Sequence, residues 1–428
     1  MFAQLRYEYN PIDPSISKLF GPRIDSQDAW ILHTNYTVAK KHEKLFDFNL
    51  GILGCDNKIM YLFALLGYEI ICHPAFIRTL HYHLSQKRNY TAKDRIYPTY
   101  GMIVPYGFTM EECKKCYGQV PYLDYYSCAA EMPSIDDNRV LHDYILSSFD
   151  KNRSFVIPRI SKPESHIGWI GNEWANDRIT SEDISYVQNN RITLKNNTGV
   201  LITDMAQTIE FAQPYMKSFE TCEIYGGCEK HGPMYDKYHA NIDSFCKNKK
   251  RIWAEAFAAY NYIYTTPWTH ALRGKRILVI SPFVDSIRKQ LPIRDKLYDG
   301  VDLFPECTFE LVKSPMTLGY DNTTELEDYF GVHLREFKKQ VDAVKDQYDI
   351  ALVGCGGYDA LICNHIYESG KSAIQVGDVL QMLFGIFGNR WINDTPEIMK
   401  LFFNQHWTRP APSETPKCHK SIENSCYW

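Results

Sequence analysis

The stretch Asp349-Ile-Ala-Leu-Val-Gly-Cys-Gly-Gly-Tyr-Asp-Ala-Leu-Ile-Cys363 decides the fold. Asp349 to Val353 is an apolar run after one acidic residue, the pattern of a strand covered on both faces. Gly354, Gly356 and Gly357 then permit a tight turn. The residues beyond it open a helix to about Ser369, with Gly370 as its C′ residue and a last strand at Ser372-Ala-Ile-Gln-Val376. Upstream, Arg276-Ile-Leu-Val-Ile280 reads as a strand, Val284 begins a helix, and Phe309-Glu-Leu-Val-Lys313 reads as a strand. Leu326, Phe330, Leu334, Phe337, Val341 and Val344 recur at helical spacing and predict one buried face of a long helix. Units of this kind in alternation predict an α/β domain with a Rossmann-like, doubly wound, mostly parallel sheet.

Composition bounds the rest. The chain has 428 residues, 45% apolar and 23% charged, enough for two or three domains with full cores. A net charge of -4 leaves no electrostatic footprint for nucleic acid. The longest apolar stretch, Ile59 to Ile71, is broken by Gly67 and Glu69 and is shorter than the roughly 20 residues of a spanning helix, so no membrane span is expected. The N-terminus lacks a basic segment followed by an apolar one. Thirteen irregularly spaced cysteines fit reduced thiols, and a cytoplasmic location is expected. Cys113-Lys-Lys-Cys116, with Cys128 and His142, has the spacing of half a zinc site; without a second pair, two thiols on a helix face is the preferred reading. Boundaries fall near residues 110 and 151: a smaller α+β segment 1–110, a connector 111–151 with some helix, and the α/β domain 152–428.

In a parallel sheet, ligands bind beyond the carboxyl ends of the strands. The candidates there are Ser281, the turn Gly354, Gly356, Gly357 and Tyr358, and the pair Gly377 and Asp378. Glycines let backbone N–H groups approach a diphosphate, and the helix dipole favours its charge; tight turning alone is the other use of such glycines. The same turn imitates the first motif of methyltransferases that bind S-adenosylmethionine, although it comes late in its domain for that role. Phe155-Val-Ile-Pro-Arg159-Ile-Ser-Lys-Pro-Glu164 delivers Arg159 for phosphate and Glu164 as general base or metal ligand; an ordinary ion pair is the alternative. In Trp268-Thr-His-Ala-Leu-Arg-Gly-Lys275, Arg273 is a second candidate phosphate contact.

With these residues in view, the chain from 152 to 428 resembles the GT-D glycosyltransferase domain. The stretch 349–363 with Gly370 to Asp378 is similar to its last βαβ unit. A subgroup in bacteria and large DNA viruses looks closer still, through Pro158-Arg-Ile160 with Glu164, Asn196-Asn-Thr-Gly199, Trp268 to Lys275, Leu380-Gln-Met-Leu-Phe-Gly385, Arg390-Trp391 and Cys426-Tyr-Trp428. The resemblance implies a nucleotide diphosphate sugar as donor and a glycan, or a lipid- or protein-linked acceptor. It also implies a divalent metal, Mn or Mg, held by an Asp-x-Glu pair. Glu164 falls on the family Glu and Lys162 on the family Asp, so the resemblance leaves open a metal-independent site in which Lys162 neutralises diphosphate, or an inactive one.

Asp25-Ser-Gln-Asp-Ala-Trp30, Phe48-Asn-Leu-Gly51, Gly54-Cys-Asp-Asn57 and His81-Tyr-His83-Leu-Ser85 look like the acceptor half of a GT-A-like domain. That resemblance implies Asp56 as catalytic base and His81 or His83 as metal ligands, with the nucleotide-binding half missing. Three functions follow: sugar transfer, methyl transfer, or a non-catalytic binding or scaffolding module derived from transferases.

Overall fold

The computed structural model describes all residues except 34, 36–37, 83–90, 97–99, 118–134, 229–233 and 320–328. The chain forms two compact units, Met1–Ser134 with Glu229–Pro233, and Ile135–Cys228 with Met234–Trp428.

In the first unit β1 (Phe2–Glu8) lies antiparallel to β2 (Lys18–Leu19) and β3 (Gln27–Ile31), and parallel to β4 (Thr79–His81). The helix Cys55–Leu65 packs Ile59, Met60 and Phe63 on Ala3 of β1. Gly54 starts that helix from a left-handed conformation, φ 84, with the Tyr100 ring 2.8 Å from where a Cβ would sit. No other residue type fits both constraints.

The second unit contains β5 (Val156–Ile157), β6 (Ile224–Gly227), β7 (Lys250–Trp253), β8 (Arg276–Ser281), β9 (Thr308–Lys313), β10 (Ile350–Val353) and β11 (Ser372–Gln375). Five form a sheet in the order β5-β11-β10-β8-β9, every neighbouring pair parallel. β6 and β7 form a parallel pair that joins the β5 edge through Arg159 and Gly226: the Ile160 N–H donates to Gly226 O at 2.8 Å and the Gly226 N–H to Pro158 O at 2.9 Å. The predicted α/β class with a parallel sheet is therefore present.

The reason lies in the strand residues. Leu278, Ile280, Ala351 and Val353 face one core cluster, with Phe211, Phe330 and Phe337. Their alternates Ile277, Val279, Ile350 and Leu352 are equally inaccessible. A sheet buried on both faces needs these unbroken apolar runs. The helix Phe330–Ala343 buries Phe330, Leu334, Phe337 and Val341, the stripe its spacing predicts, with Val344 packed against the same core; Leu326 lies outside the described residues. Asp359–Glu368 ends as foreseen at Gly370, φ 86, where the Lys371 N–H reaches Ile366 O and the Gly370 N–H reaches Tyr367 O. Ser181–Thr198 is framed by a Thr180/Asp183 capping box and Gly199, φ 79. The motif Asn196 to Gly199 is thus a helix C-terminus.

One boundary differs. The helix Ile135–Asp150, assigned by sequence to a connector ending at 151, belongs to the second unit. Asn138 ties it there by accepting from the Trp268 N–H at 2.9 Å and donating to Thr266 O at 2.8 Å. A polar contact across so many residues leaves no mark in local periodicity. Among the described residues no helix is long and apolar enough to cross a membrane, and the described cysteines are free thiols.

Candidate functional site

Because the strands of the second unit run parallel, their carboxyl ends share one edge. Arg159 follows β5, Glu255 follows β7, Asp359 begins the helix after β10, and Asp378 follows β11. The Arg159 N–H donates to Gln375 Oε1 at 2.9 Å, and its Nη1 donates to Val376 O at 3.2 Å and Asp378 Oδ1 at 2.9 Å. Gly377 permits this approach: its φ is +72 and an added Cβ would lie 2.7 Å from Arg159 Nη1. Arg390 takes the other Asp378 oxygen through Nη1, pairs with Glu423 through Nη2, and lies over the Tyr427 ring. Burial opposes ionisation of Asp378, but Arg159 and Arg390 outweigh it and bring its carboxyl to about 2.

Three neighbouring acids go the other way. Burial pushes Asp359 up to about 8, although Oδ1 accepts from the Cys355 N–H. Burial also raises Glu164, which is 7% exposed, and Glu255. Glu255 nevertheless presents open surface to solvent. Glu164 Oε2 and Arg159 Nε are both buried without a hydrogen-bond partner among the described residues. An unmet acceptor and an unmet donor, beside acids whose carboxyls burial raises, suit a ligand that both gives and receives hydrogen bonds.

The glycine turn sits against protein. A Cβ on Gly357 would lie 2.3 Å from Val200 Cγ2, on Gly356 2.8 Å from Thr198 O, and on Gly354 2.5 Å from Gly377 O. Tyr358 is fully buried. These glycines thus admit close packing of the 198–200 segment and of the neighbouring turn, a use that stands beside the phosphate cradle expected from the sequence. Ser281 is also turned inward, its Oγ accepting from the Phe283 N–H at 3.2 Å. Arg273 precedes β8 and so lies at the amino edge of the sheet, where it pairs with Glu306 on the surface. Strand polarity thus places it at the edge opposite Arg159 and Asp378.

Lys162 leads to a second cluster. Its Nζ is 3.4 Å from Asp236 Oδ2. Asp236 caps the helix Lys237–Phe245, with Oδ1 accepting from the N–H groups of Tyr238 at 3.0 Å and His239 at 3.2 Å. His239 Nδ1 lies 2.9 Å from Oδ1 and His166 Nε2 2.6 Å from Oδ2. His166 Nδ1 contacts the Tyr186 hydroxyl. Burial opposes the Asp236 charge, but hydrogen bonds and the histidines hold its carboxyl well below the usual range. The sequence alone did not single out His166, Asp236 and His239: His166 comes from the helix Glu164–Ala175, and Asp236 and His239 from the start of the helix Lys237–Phe245. The signals were His166 two places after Glu164 and the spacing Asp236-x-x-His239.

In the first unit, Asp56 sits in the first turn of Cys55–Leu65, and burial, with Asp28 adding, raises it to about 7. His81 Nδ1 contacts Glu8 Oε2 at 3.2 Å, and among the described residues it joins no group with metal-ligand spacing. His83 lies outside the described residues. Cys113 is buried and Cys116 exposed; neither belongs to such a group among the described residues, and Cys128 lies outside them.

The chain matches no protein-family model, and neither a curated protein nor a solved structure matches it.

Proposed function

We propose that the second unit is a Rossmann-like, doubly wound glycosyltransferase domain that moves a sugar from a nucleotide diphosphate donor to a hydroxyl of a glycan, lipid-linked or protein-linked acceptor. The observation that carries this reading is the unmet pair Arg159 Nε and Glu164 Oε2 at the carboxyl edge. The switch in strand order lies between β8 and β10, where Ser281 and the Gly354 turn stand, and Arg159 stands two strands further along the same carboxyl edge.

In this reading the acceptor hydroxyl gives its proton to the Glu164 carboxylate as its oxygen bonds to the anomeric carbon. The bond from that carbon to the diphosphate oxygen breaks, and the diphosphate leaves with the electron pair. A raised carboxyl suits a base working near neutral pH, and Arg159 and Lys162 face the departing charge. At the position where the resemblance implies a metal pair stand Lys162 and Glu164. A lysine ammonium donates and cannot ligate, and Lys162 is engaged with Asp236, so no metal enters this step. Asp378, the acid a methyltransferase would offer a ribose, has both oxygens committed to arginines.

Thermal shifts with uridine and guanosine diphosphate sugars, with and without Mn²⁺, test the reading, since a ligand of the native state stabilises it by about 2.7 kcal/mol at a hundredfold excess over Kd. Glu164→Gln should keep donor binding and lose sugar transfer. Silence across all nucleotide sugars overturns the reading, and a shift with S-adenosylmethionine alone transfers it to methyl transfer.

A further inference from the structure

Two buried imidazoles converge on one carboxylate beside the sheet edge. We propose that His166 Nε2, His239 Nδ1 and the Asp236 carboxylate form a binding site for a divalent transition-metal ion of the Zn²⁺ class. The proposal is independent of the sugar-transfer reading.

Donor placement comes first. The ligand atoms of the three residues lie within 4.8 Å of one another. His166 and His239 are 4% and 2% exposed, so their rings are fixed by packing, while the Asp236 side chain keeps 26% of its surface and leaves one side open. Zn²⁺ bonds of about 2.0–2.2 Å in a tetrahedron place neighbouring ligand atoms about 3.3–3.5 Å apart. The present N to O separations are 2.6 and 2.9 Å, so a small outward rotation of the carboxylate makes room. The protons that now bridge these contacts move to the other ring nitrogens, His166 Nδ1–H then donating to the Tyr186 oxygen, so both imidazoles meet the ion neutral, and Lys162 is released from Asp236 Oδ2.

The surroundings match what metal ligands require. A ligating histidine is usually oriented through its other nitrogen; His166 Nδ1 is held by the Tyr186 hydroxyl, and the Tyr238 ring lies against the imidazole at 4.3 Å between centroids. Asp236 is held by the Tyr238 and His239 N–H groups. Two nitrogens and one carboxylate favour Zn²⁺ or Co²⁺ over Mg²⁺ or Ca²⁺, which take oxygen. Three protein ligands leave a fourth position for water, the pattern of catalytic rather than structural zinc.

The test uses the full chain, stripped with a chelator and titrated with Zn²⁺ by calorimetry and with Co²⁺ by visible absorption. The expected result is one ion per chain, with bands of four-coordinate Co²⁺ and no thiolate charge-transfer absorption, which separates this site from the cysteines. His239→Ala and Asp236→Asn should each weaken binding at least about tenfold. Asn retains helix capping, so Asp236→Asn removes a ligand while keeping the helix start. Tyr186→Phe, which leaves all three ligands, should weaken binding about 10–100-fold. Absence of stoichiometric binding, or binding unchanged in Asp236→Asn and His239→Ala, overturns the proposal and leaves a hydrogen-bonded network.

Discussion

Arg159 Nη1 and Asp378 Oδ1 meet at 2.9 Å from the ends of β5 and β11, neighbours in the sheet although far apart in the chain. Each side chain keeps only about a fifth of its surface, 22% and 19%. Removing one partner of a buried pair strands the other and costs about 3–5 kcal/mol. Arg159→Met leaves Asp378 with Arg390, so its cost should lie near the lower bound. Asp378→Asn leaves two guanidiniums facing each other and should cost more. Urea unfolding checks both, and equal small losses would remove the pair from the account of the fold.

Gly354 and Gly357 are predicted to act through packing even with no ligand present. Neither has positive φ, so an added methyl meets only its neighbours: the Gly377 carbonyl at 2.5 Å and Val200 Cγ2 at 2.3 Å. Overpacking of this kind typically costs about 1–3 kcal/mol. Gly354→Ala should cost more than Gly357→Ala, because a backbone oxygen yields less than a methyl group. Denaturation of the unliganded variants measures it; full stability with lost nucleotide binding would speak for the phosphate-cradle role.

β8 to β11 and the helices between them were legible because their apolar periodicity is local: Ile350 to Val353 and the stripe from Phe330 to Val341 are burial written directly into sequence. The packing around the glycine turn was not, since Thr198 and Val200 reach it from a distant helix end. Arg159 and Asp378 stand where the ends of β5 and β11 put them, and Glu164 opens the helix after β5. Glu255 and Arg390 were missed, one after a short edge strand and one in the closing segment. The histidine cluster required knowing that the ends of β5 and β6 adjoin, which pairing decides and periodicity does not.

Arg273 supplies a contrast. It precedes β8 and forms an exposed pair with Glu306, with 56% and 69% of the side chains exposed. Such pairs contribute little. Arg273→Ala should change stability by no more than about 0.5 kcal/mol and leave nucleotide-sugar affinity unchanged, whereas Arg159→Met should reduce that affinity. Calorimetric titration of both variants decides it; a matching loss would place Arg273 at the ligand after all.

Asp359 sets a pH dependence whose sign follows from its direction of shift. Its carboxyl is raised from 3.8 to about 8 by burial, so between these values the folded chain holds a proton that the unfolded chain has released. Stability then falls as pH rises, by at most about 1.4 kcal/mol per pH unit from this group. The contribution is complete below the ordinary aspartate range and gone above about 8. Glu164 and Glu255, raised by the same burial, steepen the decline. Asp378, lowered to about 2, has the opposite sign and matters only in acid, as pH falls from the ordinary aspartate range through about 2. Asp359→Asn retains an oxygen to accept from the Cys355 N–H and removes the ionisation. Urea midpoints from about pH 5 to pH 8 should therefore decline less steeply in Asp359→Asn than in the parent chain, with the variant relatively more stable at the alkaline end. Parallel profiles would mean that Asp359 is already ionised in the fold.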